Sequence, residues 1–240
     1  MTSRSVVSAR VSDSLLALKT SLAEQAAALR GVQPDQLPAA LLNISVRRVG
    51  DAYYVCPADW EQLRHEEGGA GRPVPYWARP WPSGVGLAGH LKDHPPAART
   101  KVLELGCGLA LPSVVAARAG ADVLATDGHT DAVAFAAHVL AINEVEGQVA
   151  HVDWAEHGEA LVERGPWDLV LAADVLYTRA NVEAASRLFH RLVAPTGALL
   201  LADPNRTGAQ GFLATARAMF ELVSDRGPDV SLHTLTPRHG

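Results

Sequence analysis

The chain has 240 residues, of which 48% are hydrophobic and 20% charged, and it carries a formal charge of −5. At roughly 150 residues per domain, that length suits one full-sized domain with an appendage, and the composition excludes a disordered or disulfide-stapled chain. No Lys/Arg run exceeds Arg47-Arg48, which argues against a nucleic-acid partner, and no apolar run reaches the roughly 18 to 20 residues of a membrane helix.

The start, Met1-Thr2-Ser3-Arg4-Ser5, lacks a basic region followed by an apolar one, so neither export nor membrane insertion is expected. Leu15, Leu16, Leu18, Leu22, Ala26 and Leu29 recur at helical spacing after Ser12 and Asp13, which predicts an N-terminal amphipathic helix starting there. Ile44 and Val46, then Tyr53 and Val55 across Gly50-Asp51, predict a two-stranded hairpin ended by Pro57. The polar, Gly- and Pro-containing stretch 66–75 reads as a loop. It leads through the aromatic and Pro-rich run Tyr76-Trp77-Ala78-Arg79-Pro80-Trp81-Pro82-Ser83-Gly84 into a helix ending near Leu91. Cys56 and Cys107 are far apart and form no metal-type pair, so they are expected to be free thiols in a reducing cytoplasm.

From residue 100 the pattern becomes strand, turn, helix, repeated. Strands are predicted at 101–105, 122–126, 148–152, 167–172 and 198–202, with helices such as 111–119 and 132–143 between them. Alternation of this kind predicts a mostly parallel sheet covered by helices on both faces, with ligands beyond the carboxyl ends of the strands. Four of those ends carry acidic residues. The first strand runs through Glu104 into the turn Gly106-Cys107-Gly108, the second ends at Asp127, the third at Asp153-Trp154, and the fourth at Ala173-Asp174 with Tyr177 just after. A carboxylate inside an apolar strand is costly unless it meets a cation or hydrogen-bond donors, so Glu104 should reach one of these. Asp127 is placed to accept from vicinal ribose hydroxyls, and Asp153 with Trp154 could bound a purine. Each also has a plainer reading: a tight turn for the glycines, helix caps for Asp127 and Asp174, a core Trp beside a surface Asp for 153 and 154. Taken together, they describe a pocket for a nucleoside bearing positive charge. A dinucleotide site is less consistent, since position 111 is Leu where a third Gly is wanted and Glu104 would oppose a pyrophosphate.

These residues resemble a known family. Glu104-x-Gly106-x-Gly108 followed by Asp127 is similar to the first motifs of class I S-adenosylmethionine-dependent methyltransferases. Asp153-Trp154 and Asp174-Val175-Leu176-Tyr177 resemble the seven-β-strand lysine methyltransferases, methyltransferase family 16. The segments 75–84 and Asp203-Pro204-Asn205-Arg206 resemble the branch holding electron-transfer-flavoprotein β-subunit lysine methyltransferases and bacterial nicotinamide N-methyltransferase-like proteins. The resemblance covers about residues 75 to 206. It implies a Rossmann-like seven-stranded sheet over 75–240, with 1–74 as a helix-and-hairpin appendage. It implies S-adenosylmethionine as cofactor, leaving as S-adenosylhomocysteine, with Glu104, Gly106, Cys107 and Gly108 near its methionine part. By the same resemblance Asp127 takes the ribose, Asp153 and Trp154 the adenine, and Trp81 and Ala173 line the cofactor, while Asp174 and Tyr177 meet the substrate amine. Two positions depart from the pattern: Ala110 stands where Gly is common, and Arg79 where an apolar residue is expected.

The expected function is methyl transfer to an amine nitrogen, most of all a protein lysine, with a small nitrogenous metabolite as the alternative. A nicotinamide-cofactor oxidoreductase and a non-catalytic cofactor-binding module are more distant alternatives. No metal is expected: His129, His138, His151 and His157 show no ligand pairing, and His233 and His239 read as a tail. No Gly-x-Ser-x-Gly elbow supports a hydrolase. The acceptor, the number of methyl groups and the oligomeric state are not legible in the sequence.

Overall fold

The computed structural model describes residues 3–68 and 74–238, with side chains from residue 14 onward. Helix α1 spans Ser3–Arg30, starting well before Ser12 and Asp13 because no Gly or Pro interrupts the residues ahead of them. After a short α2 (Ala39–Leu42), strands β1 (Ile44–Val49) and β2 (Ala52–Pro57) pair antiparallel as the expected hairpin. The expected loop at 66–75 is corrected at its start. Helix α3, Trp60–Gly68, runs through Glu66, its first turn held by Asp59 Oδ1 accepting from the Gln62 amide at 2.9 Å and its Leu63 fully buried. Residues 69–73 of that stretch lie outside the described residues. A turn at Tyr76–Ala78 then leads into α4 (Pro82–Asp93), with Pro at its first position, where no amide partner is lost.

The remainder alternates as the sequence predicts: β3 (Lys101–Leu105), α5 (Leu111–Arg118), β4 (Asp122–Asp127), α6 (Thr130–Ile142), β5 (Gln148–His151), α7 (Trp154–His157), α8 (Glu159–Arg164), β6 (Trp167–Ala173), α9 (Arg179–Leu192), β7 (Val193–Asp203) and α10 (Thr207–Ala216). Two further strands, β8 (Phe220–Arg226) and β9 (Ser231–Pro237), complete a seven-stranded sheet in the order β5-β4-β3-β6-β7-β9-β8. β3 pairs parallel with both β4 and β6, and β9 runs antiparallel to its two neighbours. His233, expected in a tail, lies buried inside β9, where Nδ1 meets Ser224 Oγ at 2.8 Å; His239 lies outside the described residues. This is an α/β Rossmann-like fold, and the strand order reverses about β3, which puts the crevice at the carboxyl ends of β3, β4 and β6.

Alternation along β3 divides its side chains. Leu103 and Leu105 join the core under α9 and α10, whereas Val102 joins the one under α4. Glu104 follows Val102 and faces α5, so its position in the apolar strand follows from the period of two. On the α6 side, Leu22, Ala26 and Ala27 of α1 share one core with Phe135, Val139 and Leu140. Arg30 fastens this contact by donating through Nε to Asp131 Oδ1 at 2.7 Å and through Nη2 to both Asp131 Oδ2 and Glu67.

Candidate active site

At the carboxyl ends of β3, β4 and β6 lies a cleft of about 660 Å³. All the residues singled out from the sequence line it: Trp81, Glu104, Gly106, Cys107, Gly108, Asp127, Asp153, Trp154, Ala173, Asp174 and Tyr177.

Its floor is the turn after β3. Gly106 and Gly108 adopt φ of +63° and +51°, conformations that side-chain-bearing residues resist. A Cβ at Gly106 would stand a tight 3.0 Å from Val175 Cγ1, whereas one at Gly108 would make an ordinary 3.4 Å contact with the Trp77 carbonyl oxygen, so it is mainly the left-handed backbone that calls for glycine at both positions. Ala110 caps α5 at φ +53°, left-handed without the freedom of glycine, at a cost of about 1 kcal/mol. Glu104 is 2% exposed and finds the donors it needs in Ser113, whose amide and hydroxyl reach Oε2 at 3.0 and 2.5 Å. Burial nevertheless pushes its carboxyl up to about 8, and the charge of Asp127 adds to the effect.

Asp127, at the end of β4, is no helix cap. Its Oδ2 accepts from the Gly108 amide and its Oδ1 from the His129 amide, each at 2.9 Å, and His129 caps α6 instead. Burial raises its pKa, and those two amides pull it back. Asp153 caps α7 through the Ala155 amide at 3.0 Å, and Trp154 is buried against Phe189. Trp154 is thus the core residue of its plainer reading, whereas Asp153 is a half-buried cap and not a surface residue, and both wall the cleft. Trp77, between Gly108 and Phe135, keeps its ring nitrogen buried with no hydrogen-bond partner among the described residues.

The mouth is aromatic and charged. Tyr76 stands edge-on to both Trp81 and Tyr177, with ring centres 6.1 and 6.0 Å away. Arg79, where an apolar residue is expected, lies over the rings of Trp60 and Trp81 at 5.4 and 4.7 Å, so aromatic faces receive its charge. Asp174 holds a left-handed conformation, φ +56°, and meets Arg206 in a two-pronged ion pair, Nε to Oδ1 at 2.5 Å and Nη2 to Oδ2 at 3.1 Å. Thr178, not Asp174, caps α9. Burial and the charges of Asp127, Asp153 and Asp174 raise the Tyr177 phenol, which therefore remains a hydrogen-bond donor. The Arg206 contact was not foreseen from sequence; the signal was a lone Arg three residues past a strand-end Asp, on the strand beside that of Asp174.

The carboxyls of Glu104, Asp127 and Asp153 have no Lys or Arg partner among the described residues. A cleft walled by acceptors and lacking inner cations suits a ligand that brings hydroxyls, an amino group and positive charge, and is hostile to a pyrophosphate. S-adenosylmethionine fits on these grounds, with the glycine turn giving backbone room.

A family model described as lysine methyltransferase matches residues 78–217. The chain therefore belongs to the lysine methyltransferase family, a class of S-adenosylmethionine-dependent methyltransferases. It is 30% identical to the electron transfer flavoprotein beta subunit lysine methyltransferase of Danio rerio, over 56% of this chain and 52% of that protein. It is also 30% identical to EEF1A lysine methyltransferase 3 of Mus musculus, over 68% of this chain and 72% of that protein. For several curated relatives, the zebrafish protein among them, the match spans about half of their length. Among solved structures, a Thermus thermophilus 16S rRNA N2 G1207 methyltransferase in complex with AdoMet and guanosine shares the fold. The TM-score is 0.60 at 18% identity, over 86% of this chain and 53% of that one.

Proposed function

We propose that this protein transfers a methyl group from S-adenosylmethionine to the side-chain nitrogen of a protein lysine. The observation that carries the reading is a carboxylate and a phenol, Asp174 and Tyr177, at the mouth of a cleft whose inner wall is acidic and whose floor is bare backbone. When bound, the cofactor supplies an electrophilic methyl carbon on a sulfonium. Gly106, Cys107 and Gly108 would pass beneath its methionine part, Glu104 would meet its amino group, and Asp127 would exchange an amide contact for the ribose hydroxyls. Asp153, Trp154, Trp81 and Ala173 would bound the remainder. The protein's work is then to align a nitrogen lone pair and to exclude water.

A lysine amine, with an ordinary pKa near about 10.4, must shed its proton before it can attack. Asp174 accepts an N–H from the amine and so aims the lone pair inward. Tyr177, 52% exposed, narrows the entrance with Tyr76 and Trp81 and donates its hydroxyl. In this reading residues 75–240 form the transfer unit and 1–74 an appendage that shapes access to it; Trp60 of the appendage bonds the Pro75 carbonyl at 2.9 Å and stacks on Arg79. A cytoplasmic location is part of the proposal, supported by two buried free thiols, Cys56 and Cys107. No described helix is long and apolar enough to cross a membrane.

The test is calorimetric titration with S-adenosylmethionine, S-adenosylhomocysteine and NAD, then incubation with cell extract and a methyl-labelled donor. Tight adenosyl binding with label on a protein band, recovered as methyl-lysine, is expected. Label confined to small molecules would move the acceptor to a metabolite amine, and a preference for NAD would overturn the reading.

A further inference from the structure

Asp174 is the group best placed to receive an acceptor nitrogen, yet both of its oxygens already face Arg206. The pair is built in rather than a chance surface contact. Asp174's side chain is only 12% exposed, its amide is tied to the Ala202 carbonyl at 2.8 Å, and its backbone is left-handed at φ +56°. Arg206 is placed from the other side by buried Asp203, whose Oδ1 accepts from the Arg206 amide at 2.6 Å. The guanidinium lines the same cleft as Tyr177 and Asp174.

A two-pronged guanidinium uses two of the roughly four lone-pair directions of a carboxylate, which leaves room for one more donor. That donor arrives beside a fixed positive charge. An ammonium is repelled there by a like charge a few ångströms away, whereas a neutral amine is not. We propose that Arg206 selects the charge state in which an acceptor nitrogen meets Asp174. By holding both carboxylate oxygens, it disfavours an incoming ammonium and favours the neutral amine that can accept a methyl group. The inference rests on the methyl-transfer reading above and adds Arg206 to it as a positioning residue. The amine's proton goes to bulk water before entry. Its lone pair then forms the N–C bond as the S–C bond breaks, giving a methylated ammonium and a neutral thioether. The single positive charge of the reacting pair thus ends on the nitrogen, beside Arg206, which favours loss of a further proton to water and departure of the product.

The charged and titratable groups facing this pair are Asp203 and Tyr177 around Arg206, and Asp127, Asp153 and Tyr76 around Tyr177. Asp174 and Asp203 raise the Arg206 pKa further, so the guanidinium stays charged throughout, and a pH effect traced to it reports on the acceptor.

The experiment compares wild type, Arg206→Gln and Arg206→Lys, each loaded with S-adenosylhomocysteine. Calorimetry at pH 7 with n-butylamine as probe should show the Gln variant binding n-butylammonium at least about fivefold more tightly than wild type, because Asp174 is released. Asp174→Asn, a residue type that tolerates positive φ, should abolish that difference when combined with Arg206→Gln. In methyl transfer to the lysine peptide that wild type labels best, the acid limb of kcat should move up by about one pH unit or more in Arg206→Gln, while KM does not rise. Arg206→Lys keeps the charge and should keep the wild-type limb. Equal n-butylammonium binding in wild type and Arg206→Gln would overturn the proposal. So would a kcat loss that is uniform with pH and not rescued by Lys, which is the mark of a merely structural residue. If wild type methylates no lysine peptide, the lysine reading itself fails, and the n-butylammonium comparison still decides the role of Arg206.

Discussion

Glu104 and Asp127 show how one strand end can hold acids of different character. Both are raised by burial and each accepts two hydrogen bonds, but His129 and His151 also pull Asp127 down, whereas the charge of Asp127 adds to the rise of Glu104, which reaches about 8. Between about pH 4.5, its ordinary value, and pH 8, the unfolded chain has lost the Glu104 proton and the folded chain has kept it. Its contribution to stability is thus fully present below that window and is lost as pH rises through it. Urea unfolding at pH 5.5 and 8 should show wild type losing more stability on this rise than Glu104→Gln; equal losses would remove Glu104 from the linkage. A cation bound nearby favours the carboxylate, so S-adenosylmethionine binding at pH 7 should release protons, seen as calorimetric heats that vary with the ionisation enthalpy of the buffer. Asp127→Ala should weaken S-adenosylhomocysteine binding by about 1.5 to 3 kcal/mol through lost charge-assisted hydrogen bonds; unchanged affinity would take Asp127 out of the site. The positions of these acids were legible because Glu104 interrupts one apolar run and Asp127 ends the next. Their partners were not: Ser113 on Glu104 and Arg206 on Asp174 follow from tertiary placement.

Among the elements, β3, β4 and β6 were readable from turn residues and from short apolar runs that are largely buried, and β5 from its position although it is half-exposed. β7, by contrast, begins at Val193, ahead of the expected 198–202, where exposed Pro195 and Thr196 break the apolar run. β8 and β9 were missed because their inward face is not apolar throughout: Ser231 and His233 point inward with Leu235, so hydropathy shows no alternation. α3 escaped for a related reason, its polar sequence hiding one core residue, Leu63. The stripe expected along α1 is only partly right, since Leu22 and Ala26 are buried and Leu18 packs beside them while Leu15, Leu16 and Leu29 are exposed. Its docking partner was not legible because Arg30 and Asp131 are 101 residues apart. That contact carries weight, since Asp131 is 1% exposed and would be left nearly bare of cations. Arg30→Ala should destabilise the protein by about 2 to 3 kcal/mol, somewhat below the range for a fully buried pair because Arg30 reaches solvent. The urea midpoint measures this, and a loss under about 0.5 kcal/mol would show that apolar burial alone holds α1.

Across the whole molecule, a negatively charged chain presents an acidic inner cleft behind a mouth that carries arginines, so charge is graded from the bottom of the site outward. The five tryptophans follow the same geography. Trp77, Trp81 and Trp154 line the cleft, Trp60 touches its rim through Arg79, and Trp167 stands apart, its ring nitrogen bonded to the Leu161 carbonyl at 2.9 Å. The protein thus carries its own optical gauge. An adenosyl ligand entering the cleft changes the surroundings of three indoles while leaving Trp167 as an internal reference. Intrinsic emission followed during a ligand titration reports occupancy without any label, and single Trp→Phe changes sort floor from mouth: Trp154→Phe should silence the response to the base, and Trp81→Phe the response to whatever crosses the entrance.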